Sequence, residues 1–237
     1  MDMEEAPIVP YVPHIELPQE PPSPPPLITS EHIRYISGFP DGTFEPERHI
    51  TRAEVASALF NLVDDANRNR AMPNRFSDVS VGAWYGQSVN YLAEIGIISG
   101  YHDGTFRPNS PMTRAELTTV MTLFFEMTGG TNSFSDIQGH WAYLNINSAY
   151  NKGWITGYGD STFRPNNPIT RAEAVTIINR ALNRRPNPIT NDYHVTFYVF
   201  TDLTRNHWAF YEIMEATIEH DFTYGPDGLE IWHIVSF

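Results

Sequence analysis

Apolar residues along this chain fall into two recurring helical patterns. In the first, Thr-Arg-Ala-Glu stands at 51–54, 113–116 and 170–173 and leads into apolar residues spaced i, i+3, i+4 and i+7. These are Val55, Ala58, Leu59 and Leu62, then Leu117, Val120, Met121 and Phe124, then Ala174, Ile177, Ile178 and Ala181. That spacing gathers each set on one helix face, which requires burial. Thr-x-x-Glu is itself a helix start, because the threonine hydroxyl takes the amide three residues on while the glutamate reaches back. We term these the B helices. In the second pattern Phe76-Ser77-Asp78, Phe134-Ser135-Asp136 and Phe200-Thr201-Asp202 precede Trp84, Trp141 and Trp208. Apolar residues at helical spacing follow each tryptophan, as Val89 and Leu92, Ile146 and Ala149, Ile213 and Ala216. These are the A helices. Six helices of about ten to fifteen residues are predicted, three of each type.

The loop leading to each B helix repeats as well. Ile36-Ser37-Gly38-Phe39-Pro40-Asp41-Gly42-Thr43-Phe44-Glu45-Pro46 returns as Ile98-Ser99-Gly100-Tyr101-His102-Asp103-Gly104-Thr105-Phe106-Arg107-Pro108. A third copy is Ile155-Thr156-Gly157-Tyr158-Gly159-Asp160-Ser161-Thr162-Phe163-Arg164-Pro165. Asp-Gly pairs supply the positive φ that tight turns need. The third copy has Asp160-Ser161 instead, with a glycine displaced to Gly159, so it must turn differently or bear strain of about 1 kcal/mol. Outside the repeats, the alternation of Val195, Phe197 and Val199 and the strand formers at 230–235 predict a small hairpin-like pairing.

Counting parts exposes an asymmetry: the first B helix has no A helix before it, and an extra A helix at about 206–220 ends the pattern. Aligned on the tryptophans, His220 falls where Arg34 stands in the first repeat. A repeat cannot bury its face alone, so the last A helix is expected to complete the N-terminal half-repeat and to lie near 51–63. The fold expected is mainly all-α, a pseudo-threefold ring of three helix-loop-helix repeats with a small C-terminal β-hairpin. Its segments are 1–26, a proline-rich spacer; 27–75, the first loop and B helix; 76–133 and 134–192, the second and third repeats; and 193–237, the completing half-repeat with a short tail. Nine of the 19 prolines lie in 1–26, ending in Pro-Pro-Ser-Pro-Pro-Pro, which favours an extended, semi-rigid spacer with other domains attached upstream.

Composition narrows the partners. The chain has 237 residues and a formal charge of -13, which argues against nucleic acid or an anionic membrane as a bulk partner. No apolar run is long enough to span a bilayer. Met1 to Glu5 are acidic and lack an apolar segment, so an export signal is expected upstream. Cysteine is absent, excluding disulfides and thiolate sites, and Lys152 is the only lysine beside fourteen arginines. Arginine offers a planar fork suited to carboxylates and phosphates.

Arg52, Arg114 and Arg171 are the first candidates for chemistry. Each occupies the first helical position, where the positive end of the helix dipole disfavours a cation. A bound anion would compensate, since helix-start amides and a guanidinium together make an anion site. A salt bridge to an acid of the next repeat would compensate equally. Trp84, Trp141 and Trp208 open amphipathic helices and are expected in the core, with sugar stacking as the other reading. Asp78, Asp136 and Asp202 can accept sugar hydroxyls or cap the A helices locally. The loops lack the alternating oxygen ligands and closing glutamate of a calcium site. The nine histidines have no paired zinc-binding spacing, and His140 and His207 stand where A helices begin. No metal, cofactor or catalytic residue is expected, because no hydrolase, P-loop or dinucleotide motif occurs.

The loop, Thr-Arg-Ala-Glu and Phe-x-Asp…Trp motifs, in that order over about residues 31–222, resemble the S-layer homology domain, found in three tandem copies on bacterial surface proteins. The resemblance implies an extracellular, wall-anchoring module and no enzyme. It implies as partner a secondary cell-wall polysaccharide linked to peptidoglycan, often carrying pyruvate ketals. It also implies that Arg52, Arg114 and Arg171, with Gly42 and Gly104, line ligand grooves between repeats. The alternative is a protein-interaction module that self-associates into a surface lattice, with purely structural arginines.

Overall fold

A computed structural model describes residues 24–66, 68–130, 133–188 and 200–236, with no side chains described beyond 233. The B helices are α1 (Arg52–Leu62), α3 (Arg114–Thr122) and α5 (Arg171–Ala181); the A helices are α2 (Gly86–Glu94), α4 (Tyr143–Asn151) and α6 (Phe210–Thr217). Strands β1 (Glu219–Tyr224) and β2 (Glu230–Ser236) close the chain as an antiparallel hairpin. Among the described residues the fold is therefore mainly helical with one small sheet. The spacer falls at 1–23 outside the described residues, as does the alternation at 193–199. The partner of β2 is instead β1, which takes over the end of the expected A helix at 206–220.

Every B helix begins as its sequence dictates. Thr51, Thr113 and Thr170 each accept the backbone N–H of the glutamate three residues on, and that glutamate accepts the threonine N–H. The apolar faces are buried except Phe124, which lies past the end of α3 and is only partly covered. Four of the six helices among the described residues have eight or nine residues, shorter than expected. The A helices start later because a turn holding the tryptophan intervenes; at two of them His140 Nδ1 and His207 Nδ1 accept the amides of Ala142 and Ala209.

Each A helix packs on the B helix before it in sequence: α2 on α1, α4 on α3, α6 on α5. The helical partner of α6 is thus α5 rather than the expected α1. Closure comes from elsewhere. On the central axis Ile50 N–H donates to Ile169 O, Ile169 N–H to Met112 O and Met112 N–H to Ile50 O. This is a closed cycle of three hydrogen bonds among residues at most 3% exposed. At the rim, Phe200 packs on Gly38 as Phe76 packs on Gly100 and Phe134 on Gly157. A Cβ at any of these glycines would stand 2.3–2.4 Å from the phenylalanine ring. Tyr35 and Ile36 donate to Ala216 O, Thr201 donates to Gly42 O, and His207 meets Glu47 at 2.9 Å. The segment from Phe200 to α6 therefore serves the first loop as 76–94 and 134–151 serve the second and third.

Candidate functional site

The three junctions between B helices are built alike. Arg52 donates from Nε to Phe106 O, from Nη1 to Glu116 and from Nη2 to Ser99 O, at 2.9, 3.2 and 2.7 Å. Arg171 repeats the set toward Phe44 O, Glu54 and Ser37 O, at 2.8, 2.8 and 2.9 Å. Arg114 donates to Phe163 O at 2.8 Å and to Glu173 at 2.9 Å, but its Nη2 has no hydrogen-bond partner among the described residues. All three guanidiniums also lie over aromatic faces, Arg114 for example 5.0 Å from the Tyr158 centroid. Each arginine thus ties its own helix to the capping glutamate and the loop of the next repeat. Burial, opposed by Glu54, pulls the Arg171 guanidinium down to about 10.

The helix-start amides are not open to an anion. Arg52 N–H donates to Ser110 O and Ala53 N–H to Pro108 O, with equivalents at Arg114 and Ala115 and at Arg171 and Ala172. The next amide in each turn is taken by the capping threonine. A cation is tolerated at the first helical position because backbone carbonyls and a glutamate surround it.

The aspartates clamp loops rather than cap the A helices. Asp78 accepts the amides of Phe106 and Arg107, Asp136 those of Phe163 and Arg164, and Asp202 those of Phe44 and Glu45, all at 2.7–2.8 Å. No A helix has a side-chain cap at its N-cap residue. Both oxygens of each aspartate hold backbone in which Glu45, Arg107 and Arg164 adopt φ of 56–58°, a left-handed conformation costly for residues with a Cβ.

Gly42 and Gly104 occupy the loop tips at φ of 82° and 78°, and Ser161 takes the same place at 62°. The third loop therefore turns like the others and bears strain. Gly42 and Gly104 lie off the grooves; Gly38 and Gly157 line them instead.

Trp84, Trp141 and Trp208 are 67%, 63% and 61% exposed, which overturns their expected place in the core. The turn before each A helix presents the indole outward, while Ala142 and Ala209, one residue on, are fully buried. One tryptophan edges each of three surface grooves: Trp141 with Arg52 and Glu116, Trp208 with Arg114 and Glu173, Trp84 with Arg171 and Glu54. Within a groove, the arginine, the glutamate and the tryptophan come from separate repeats. The Arg114 groove differs in charge, because Arg180 lines it too and makes no side-chain hydrogen bond among the described residues. The altered loop at 155–164 borders this groove and not that of Arg171. Sequence reasoning missed Arg180, which sits in the last turn of α5 with no counterpart in the other B helices.

Comparison with known proteins identifies the family of the repeats. The profile described as S-layer homology domain matches residues 35–56, 75–118 and 133–175. The chain is 39% identical over 213 residues to a cellulosome-anchoring protein of Acetivibrio thermocellus, covering 86% of this chain and 46% of that protein. It is 30% identical over 159 residues to a surface-layer 125 kDa protein of Lysinibacillus sphaericus, covering 62% and 13%. It is 33% identical over 171 residues to the exoglucanase XynX of Acetivibrio thermocellus, covering 68% and 15%. The chain spans less than half the length of each of these relatives.

Proposed function

Because its three repeats belong to the S-layer homology domain family, we propose that this chain anchors a bacterial surface protein non-covalently to the cell wall. Its place is outside the cell, and its ligand is an anionic, pyruvylated secondary cell-wall polysaccharide linked to peptidoglycan, held in the grooves between repeats. The observation that carries this reading is the placement of three solvent-exposed tryptophans at the edges of three equivalent grooves. A large aromatic ring held out of the core, at the edge of a cleft that also holds an arginine and a glutamate, suits the flat face of a sugar. In a chain of charge -13, the acidic substituent has its best seat beside Arg114 and Arg180, where donors remain for it. The module is non-catalytic, and repeats bounded at about 76 and 134 with a completing segment after 193 serve only to build the grooves. The tethered domains of the parent protein carry any further activity.

Sedimentation with purified cell walls, before and after chemical removal of the accessory polymer, tests the reading. Pelleting with intact walls and its loss on stripped walls is expected. Equal pelleting with both, or with neither, refutes polymer anchoring and favours self-association into a surface lattice.

A further inference from the structure

Four side chains from outside the groove system converge in the interior beside the hairpin. His32 lies just before the first loop, Glu215 on α6, His220 on β1 and Glu230 on β2, and their side chains are at most 2% exposed. His32 Nδ1 stands 2.9 Å from Glu215 Oε1, 3.6 Å from Glu230 Oε2 and 3.2 Å from His220 Nε2, which is 3.1 Å from Glu215 Oε2. One ligand atom from each of the four falls within 4.8 Å of all the others. We propose that His32, Glu215, His220 and Glu230 bind one divalent cation of the zinc class, which clips the start of the folded region to its C-terminal hairpin.

The geometry carries the proposal. A tetrahedral ion with nitrogen and oxygen ligands at about 2.0–2.1 Å separates those ligands by about 3.3 Å, close to the shorter separations here, and small side-chain shifts would draw in the rest of a set that lies within 4.8 Å. The donor set, two imidazoles and two carboxylates, suits zinc and disfavours calcium or magnesium, which seek oxygen alone. His220 Nδ1 lies 3.1 Å from Ile218 O. A carbonyl can only accept, so Nδ1 donates there, which is the contact that the outer partner of a metal-bound histidine makes. Glu215 Oε2 and Glu230 Oε2 are buried without a well-aligned hydrogen bond; His220 Nε2 stands 3.1 Å from the first and His32 Nδ1 3.6 Å from the second, and a cation between them would satisfy both carboxylates. Arg184 approaches Glu215 Oε1 at 3.4 Å but spends its shorter bonds on Ile33 O and Glu31 O, leaving two carboxylates against one fixed cation. Phe222 stacks on His32 at 3.8 Å and Trp232 lies 4.6 Å from His220, giving apolar walls. A surface cleft bordered by Ser30, Glu31, Asp221 and Phe222 runs along the two histidine positions, whose rings remain buried beneath it. Four protein ligands leave no open position, so the ion's role is structural.

The full chain, stripped by chelator and dialysed, would be titrated with Zn²⁺ and separately with Co²⁺. Metal content, visible absorption and thermal unfolding would be read. One equivalent of zinc, a tetrahedral cobalt spectrum and a Tm rise on the order of 5–10 °C at a hundredfold excess over Kd are expected. Glu230→Gln, nearly isosteric, should weaken zinc binding at least tenfold with unchanged circular dichroism. If that variant does not fold, wild-type uptake and the cobalt spectrum decide. Folded wild-type chain that retains no stoichiometric zinc, gives only an octahedral cobalt spectrum, or binds equally well as Glu230→Gln would show the cluster to be a proton-held ion-pair network.

Discussion

Replacing Arg171 by alanine should damage the fold more than the ligand site. Arg171 is 1% exposed and donates three bonds of 2.8–2.9 Å, to Phe44 O, Glu54 and Ser37 O. A hydrogen bond to a charged group contributes about 1.5–3 kcal/mol, and bonds made by one side chain do not add. Removing one partner of a buried pair typically costs about 3–5 kcal/mol, because the other is left uncompensated. We expect a loss in that range, lowering Tm by roughly 6–20 °C for a chain of this size. Lysine at 171 should recover only part, since one ammonium cannot span three acceptors. Arg114→Ala removes two bonds, so its stability loss should be smaller, about 2–3 kcal/mol. Its affinity for the wall polymer should fall about tenfold or more, because Arg114 lines the groove with a third donor left over for a ligand. Thermal unfolding and equilibrium binding on both single mutants check the contrast. An Arg171→Ala protein that melts within a degree of wild type would refute the strut assignment. An Arg114→Ala protein as unstable as Arg171→Ala with undiminished affinity would refute the difference between grooves.

Trp208→Ala should leave stability within about 0.5 kcal/mol, as exposed positions do, yet lower polymer affinity several-fold; a fall in Tm with affinity unchanged would return the indole to a structural role. Asp136→Ala should cost about 2–3 kcal/mol by freeing the amides of Phe163 and Arg164. Arg164→Gly on that background should restore part of the loss, because glycine relieves the left-handed conformation; no recovery in a denaturant titration would separate the clamp from the strain. Ser161→Gly should stabilise by about 1 kcal/mol, since the position demands the φ that Gly42 and Gly104 adopt. An unchanged or lower midpoint of unfolding would place the strain elsewhere.

What the sequence determined by itself is local and periodic. The capping boxes at Thr51, Thr113 and Thr170, the buried faces of the B helices and the threefold loop follow from spacings of three and four residues, which helix geometry imposes without knowledge of the rest of the chain. Need for closure was legible too, because an unpaired half-repeat leaves an apolar face exposed. The route was not: α6 packs on α5, and the cycle through Ile50, Met112 and Ile169 uses backbone groups that every residue possesses. Tertiary structure alone decided whether a recurring polar residue faces solvent or a neighbouring repeat. It turned the tryptophans outward, filled the helix-start amides with carbonyls from the adjoining loop and set Arg180 beside Arg114. It also brought His32 within 3.2 Å of His220 across 188 positions. Such a meeting leaves no mark in a local pattern, because the ring rather than the intervening chain fixes the distance between its ends.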